Sequence, residues 1–443
     1  MKNSIFGTDG IRGLVNTAPI NPDIILKLGI SIGKYLEAKG VIKRVVIAKD
    51  TRLSGYMMEP ALTSGLISMG VDVILVGPMP TPSIPILIKS LRADFGIMIT
   101  ASHNPYHDNG VKLFNKYGYK LNEYEKEVIE KYIFDKSIFN NLAEPSKLGV
   151  AKRLEDAPGR YIEYVKRSFP KHLNLSGIKV VIDCANGSAY KLAPIILWEL
   201  GAEVVTLGCS PNGFNINENC GSMHPKLLCE EVRKTGADIG IALDGDADRI
   251  LVCDENGEII NGDILIGLIA THLKNISKLK GDTVVVTKVS NTALEQYFKN
   301  IGISTVYTDV GDIKVSERLN SLKLNFGGEE SGHIIFSDYS HAGDGIISAL
   351  QILAILVDSK KRMSELTNIF KLNPSFKNNI RFKGDDPLEK IGIIDVIDDI
   401  KKQNPDLKII VRRSGTEDII RVLVEGNANA NKVLCQLVEI ISG

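Results

Sequence analysis

No C-x-x-C pair occurs among the six cysteines, Cys184, Cys209, Cys220, Cys229, Cys253 and Cys435. Their spacing gives neither a zinc site nor a disulfide framework, so reduced thiols are expected. Net charge is also lacking, because 53 basic residues face 53 acidic ones. A balanced chain has no broad electrostatic footprint for nucleic acid or an anionic membrane. No apolar run reaches the ~20 residues of a membrane span. The most apolar stretch, Ile346–Val357, is interrupted by Ser348 and Gln351. The opening MKNSIFGTDG has no apolar h-region, so no secretory signal is expected. A soluble, cytoplasmic protein is the expectation. With 443 residues and 44% apolar content, the chain has ample core for roughly three or four domains.

What is present is a repeated grammar. Strand patterns at Val45–Ala48, Gly70–Gly77 and Ala93–Thr100 alternate with helical stretches. The pattern returns at 179–183, 201–208 and 237–243, and again at 283–287, 302–307 and 322–326. Repeated βαβαβ predicts three similar α/β domains with mixed, mostly parallel sheets. After about Lys371, strands at Ile409–Val411 and Ile419–Val424 flank a glycine loop. They predict a smaller C-terminal α+β domain, with all four domains around a central cleft. The expected domains are 1–152, 153–250, 251–368 and 369–443.

The third strand of each copy runs into an unusual polar loop. The first is TASHNPYHDNGVK, Thr100–Lys112. Asn104-Pro105 blocks regular structure and Asp108-Asn109-Gly110 has turn chemistry. Ser102 is thus predicted on a tight loop at a strand's carboxyl end, where ligands gather in open α/β sheets. The second is Asp244-Gly-Asp-Ala-Asp248. Residues two apart on an extended chain project to one side, so Asp244, Asp246 and Asp248 converge and call for a hard cation. An EF-hand is excluded: Arg249 stands where that loop requires glycine, and strands flank the segment. The third is Gly327–His333, whose Glu329, Ser331 and His333 alternate as groups for sugar hydroxyls. In the tail, Arg412–Thr416 offers a guanidinium, hydroxyls and a close-approach glycine, an anion nest for a phosphate monoester. It has no Walker lysine, so nucleotide is not its ligand. Near the start, three glycines surround Arg12 and can aim it at Ser102, while Lys112 can return to the same cleft. Asp344 reads as a helix N-cap. Together these parts predict phosphoryl transfer on a sugar phosphate.

With TASHNP, DGDADR, GGEESGH and RRSGTE in this order, the whole chain resembles the α-D-phosphohexomutase family. The resemblance implies an intramolecular phosphotransferase in which Ser102 carries the phosphoryl group. Mg²⁺ would lie between that phosphate and Asp244, Asp246 and Asp248. Arg12, His103, Lys112 and Arg249 would line the transfer site, with Lys112 favoured as general base. Glu329 and Ser331 would hold sugar hydroxyls, with His333 beside them. Arg412, Ser414, Gly415 and Thr416 would hold the other phosphate, with Arg421 nearby. A hexosamine or glucose 1,6-bisphosphate is implied as intermediate and activator. Gly77–Pro82 and Asn215–Pro225 resemble the branch that uses hexosamine phosphates on the route to UDP-N-acetylglucosamine. The alternative is a glucose- or mannose-phosphate mutase of the same family. Thr100 and Ala247 depart from common family residues without touching the chemistry. Glu330 stands where that branch usually has Gln, which bears on sugar preference. A homodimer is among the assemblies the resemblance allows.

Overall fold

The computed structural model describes residues 4–7, 9–40, 44–382, 384, 386–390, 392–414 and 418–442. Their strands form four sheets of seven, five, four and three strands. Three sheets share one plan. In the first, Phe95–Ile99 lies between parallel Arg44–Lys49 and antiparallel Asp108–Asn115, with Asp72–Pro78 parallel on the far side of Arg44–Lys49. In the second, Ile239–Leu243 lies between parallel Lys179–Asp183 and antiparallel Ile250–Cys253, with Glu203–Leu207 outermost. In the third, Phe326–Gly328 lies between parallel Thr283–Thr287 and antiparallel Ile334–Phe336, with Ser304–Thr308 outermost. Each reactive loop is therefore the link from an inner parallel strand to its antiparallel return. That common position brings three different loops to equivalent edges.

One apolar core runs from the back of the first sheet (Val46, Met98) through the second (Ile182, Ile241) to the third (Val286, Phe326). Helix Gly345–Ser359, the most apolar stretch of the sequence, fills its middle. Asp344 caps that helix, accepting from Ile346 N (2.9 Å) and Ile347 N (3.0 Å). Among the described residues no helix is long and apolar enough to cross a membrane. The C-terminal sheet packs Ile420, Val422 and Val424 on helices Ile393–Gln403 and Ala430–Ser442 in a core of its own.

Two local expectations change. Leu322 ends helix Asp312–Leu322, and the strand is Phe326–Gly328. Val315 and Leu319, one turn apart and buried, supply a helical stripe that overrides the strand-like letters. Asp108-Asn109-Gly110 is not a turn but opens strand Asp108–Asn115. Gly10–Leu14 pairs with it (Arg12↔Gly110, Gly13↔Asn109, Leu14↔Asp108), and local turn preference yields to that partner. The expected boundary at Ile250 falls inside the second sheet, whose strands continue to Ile260. We propose placing it before helix Gly262–Asn275.

That helix also supports the junction to the C-terminal domain. Asp263 accepts from Asn291 N (2.7 Å), and Asn291 Nδ2 donates to the Asn373 carbonyl (3.0 Å). Burial pushes Asp263 up to about 7, against the lowering effect of the Asn291 N–H. A raised carboxyl favours the folded state below its unfolded pKa, about 4, and that stability is lost as pH climbs through 7. Asp263→Asn is expected to remove this loss, on the order of 3 kcal/mol. Urea midpoints at pH 5 and pH 8 measure it: the variant's advantage should grow with pH, and a constant gap would exclude the effect.

Candidate active site

Ser102 follows strand Phe95–Ile99 and has φ +52°. A non-glycine residue there costs about 1–2 kcal/mol, so surrounding contacts must hold it. They come from beneath. Arg52, 1% exposed, donates through Nη2 to the carbonyls of Ser102 (3.0 Å) and Asn104 (2.7 Å). Asn217 Nδ2 donates to the same carbonyls at 2.9 and 3.0 Å. Asp50 anchors Arg52 Nε (2.8 Å) and accepts from Thr100 Oγ1 (2.7 Å), which in turn accepts from Ser102 N (2.9 Å). Thus fixed, Ser102 Oγ donates to Asp244 Oδ2 at 2.6 Å. A Cβ on Gly245 would lie 2.6 Å from the Ser102 carbonyl, so the glycine of the aspartate loop lets the two loops meet.

The three aspartates stand together, with ligand oxygens within 4.8 Å of one another. Lys112 Nζ donates to Asp246 Oδ2 and Asp248 Oδ2, each at 2.8 Å. Thr81 donates its hydroxyl to Asp246 as well. Asp246 Oδ1 and Asp248 Oδ1 are buried and accept no hydrogen bond from the described residues. Burial, and then the charges on Asp248 and Asp246, push Asp244 well above the usual carboxylate range. Lys112 and the Arg249 guanidinium, 3.9 Å from Asp248, offset part of the carboxylate charge, and two carboxylate oxygens stay without a hydrogen bond. An all-oxygen set of this kind fits a hard divalent cation.

Arg249 N donates to Asp244 Oδ1 (3.2 Å), and its Nη1 lies 3.4 Å from His103 Nδ1. Burial, then Arg249 and Arg12, push His103 down to about 3, so its imidazole is neutral. Arg12 Nη1 donates to Asn104 Oδ1 (3.2 Å) on the serine loop. Lys120 bridges Asp9 and Asp312, tying the first domain to the third. On the third loop, Glu329 is buried and accepts from Gly311 N (3.0 Å), while Ser331 is exposed. His333 turns to the aspartates, 3.7 Å from Asp248 and 3.7 Å from Asp312.

A cavity of about 330 Å³ opens beside this loop. Glu329, Glu330 and Ser331 line one side, and Arg412 and Arg421 of the C-terminal sheet line the other. His333 is not among its lining residues. Arg413 turns away to Asp386 (3.3 Å) and Asp418 (3.1 Å), so Arg412 is the arginine of the pair that faces the cavity. Ser414 is buried, its N–H donating to the Ile419 carbonyl (2.8 Å). Gly415 and Thr416 lie outside the described residues.

Family models named phosphoglucomutase/phosphomannomutase, alpha/beta/alpha domains I, II and III, match residues 3–138, 159–257 and 261–372. The chain belongs to this α-D-phosphohexomutase family. Among its relatives, a phosphoglucosamine mutase of Caulobacter vibrioides is 50% identical over 96% of this chain and 95% of that one. Another, of Maricaulis maris, is 48% identical over 100% and 98%. A phosphoglucomutase/phosphomannomutase family protein from Burkholderia thailandensis has the same fold, with TM-score 0.81 at 24% identity over 99% and 96% of the chains. An Aspergillus fumigatus N-acetylphosphoglucosamine mutase, solved with GlcNAc-6P and magnesium, follows at TM-score 0.67, 18% identity and 99% and 95% coverage.

Within the family frame, several site residues escaped the sequence reading. Arg52, Asp50 and Asn217 hold the serine loop, Thr81 holds the aspartate loop, and Asp9 with Lys120 joins domains. Asp9, Thr81 and Asn217 lie in the stretches Phe6–Gly13, Gly77–Pro82 and Asn215–Pro225, but no spacing signals these contacts, because each residue acts on a loop distant in sequence. Ala247 has φ +58°. Glycine fits that backbone without strain, so the common family residue there has a physical reason.

Proposed function

We propose that this chain is a phosphoglucosamine mutase, interconverting glucosamine 6-phosphate and glucosamine 1-phosphate through phosphoserine at Ser102. The observation that carries the reading is the 2.6 Å contact between Ser102 Oγ and Asp244 in the three-aspartate loop. It sets the Ser102 hydroxyl against the acidic cluster, which supports Ser102 as the nucleophile. Relatives that are about half identical over almost the whole chain, and are named for this reaction, support the choice of sugar.

In this reading, Asp244, Asp246 and Asp248 would hold Mg²⁺ beside Ser102. A hard cation bound there would supply charge stabilisation to the phosphoryl group in transit. Arg12 and Arg249 flank the group in transit. Ser102 gives its phosphoryl group to the free sugar hydroxyl, producing a 1,6-bisphosphate. The intermediate turns over, and its other phosphoryl group returns to Ser102. Lys112 is an ammonium that donates to Asp246 and Asp248, so to accept the proton of the attacking hydroxyl it must first pass one of its own to a neighbouring carboxylate, for which Asp9 stands 3.2 Å away. Glu329 and Ser331 hold sugar hydroxyls in both orientations, while Arg412 and Arg421, with Ser414, Gly415 and Thr416, hold the idle phosphate. His333 orients Asp248. We place the reaction in the cytoplasm, on the route to UDP-N-acetylglucosamine, and light scattering is expected to find a homodimer.

Glu330 does not argue against this sugar. Its carboxylate is taken up by Lys377 and Asn261 and leaves the hydroxyl-reading position to Glu329. A panel of hexose 6-phosphates assayed with catalytic bisphosphate tests the reading. Glucosamine 6-phosphate should have the highest kcat/KM. Preference for glucose or mannose 6-phosphate would refute the sugar assignment, and net release of phosphate would refute the mutase.

Arg412 should matter in both directions, because the idle phosphate is present in both half-reactions. Losing a charge-assisted bidentate contact costs about 1.5–3 kcal/mol, roughly 10- to 100-fold in kcat/KM. Arg412→Ala is expected to show that loss from either substrate, and a loss in one direction only would exclude a shared clamp.

A further inference from the structure

Glu330 and Lys377 join the sugar-reading loop to the C-terminal sheet. Lys377 Nζ donates to both Glu330 carboxylate oxygens at 2.6 Å. Asn261 Nδ2 adds a contact to Oε1 at 3.4 Å. The Glu330 end is firmly seated. Ile250 N donates to the Gly332 carbonyl (3.1 Å), and Glu329 N to the His333 carbonyl (3.0 Å). Gly332 has φ +84°, and a Cβ there would fall 1.8 Å from the Ile250 carbonyl oxygen. The Lys377 end belongs to a domain with its own core.

The register of that sheet arranges its contacts in successive rows. Ser375, Glu425 and Lys408 form the first row. Here the domain meets its neighbour: Glu425 accepts from Thr292 N (2.8 Å), and Lys408 Nζ reaches the Ser290 carbonyl. Two residues along, Lys377, Leu423 and Ile410 form the next row on the same face. Two further along stand Asn379, Arg421 and Arg412. The last two rows line the 330 Å³ cavity. The order is hinge, ion pair, then arginines.

We propose that Glu330 and Lys377 are positioning residues, whose ion pair sets the angle of the sheet about its hinge row. That angle decides where Arg412 and Arg421 meet the idle phosphate, so the inference rests on the substrate proposed above. The Lys377 side chain is 51% exposed and that of Glu330 23%. A pair this open is weak enough to break and re-form within a catalytic cycle. It also explains an acid at 330: the partner lysine stands on a different domain.

The test uses full-length enzyme with Glu330→Ala, Lys377→Ala, the double variant and Lys377→Arg. Each alanine variant should raise KM for the hexosamine 6-phosphate about three- to fivefold, the scale of one such pair, with kcat within about twofold. The double variant should lose no more than either single, and Lys377→Arg should keep the wild-type KM. Thermal midpoints should stay within about 2 °C, which a general loss of structure would not allow. Wild-type KM in Glu330→Ala overturns the proposal, and so do additive losses, which mean two independent contacts. A wild-type enzyme inactive on hexosamine phosphates refutes the proposed function instead. Hydrogen exchange then decides the strut: faster exchange over 375–381 in both alanine variants supports it, and unchanged exchange overturns it.

Discussion

Ser102→Ala is expected to abolish interconversion, by on the order of 10³-fold or more, the scale of removing a covalent nucleophile. The reason is positional. Ser102 Oγ is the hydroxyl that reaches Asp244 at 2.6 Å, and the backbone that presents it is clamped by Arg52 and Asn217. Those clamps bind the Ser102 carbonyl, not its side chain, so the alanine variant keeps its fold and loop. Intact-protein mass spectrometry should find a phosphorylated fraction in the wild type and none in the variant. Retained turnover in Ser102→Ala would place the phosphoryl carrier elsewhere. A companion change, Arg52→Met, should lower activity while leaving the serine in the chain. The buried guanidinium binds the carbonyls of Ser102, Asn104, Pro105 and Asp108, and Asp50 anchors it from its own segment.

Asp246→Asn should have the next largest effect. Asp246 is fully buried between Lys112 and Thr81, and one of its oxygens accepts no hydrogen bond from the described residues. The amide keeps an acceptor for Lys112 but loses the charge that favours a hard cation. Mg²⁺ titrations of activity should move at least about tenfold to higher concentration, and turnover at saturating metal should fall on the order of 10²-fold. Chelation should silence the wild type, and added Mg²⁺ should restore it. Unchanged metal dependence in Asp246→Asn would remove the aspartate loop from the cation site.

Much of this was readable along the chain. Val45–Ala48, 179–183 and 283–287 are short β-branched apolar runs that alternate with longer helical patterns, so the repeated α/β plan follows from local pattern and length. The aspartates do converge, but in a turn and not on an extended segment: Ala247 N donates to the Asp244 carbonyl (3.0 Å) and Ala247 has φ +58°, so the spacing named the right residues for the wrong backbone. Leu322 and Asp108–Gly110 show the limit. Their letters favour strand and turn, but a buried helical stripe and a distant strand partner decide otherwise.

The sequence by itself determined which chemical groups exist and that three of them end equivalent strands: Ser102, the aspartates Asp244 to Asp248, and Glu329. Tertiary structure alone decided which groups touch. Arg52 beneath Ser102, Lys112 between Asp246 and Asp248, His333 turned to Asp248, and Glu330 gripping Lys377 are all long-range pairs. No period or motif records such pairs. They arise because separate sheets pack their loop edges together, and a charge brought out of water there must find an opposite charge or a hydrogen bond.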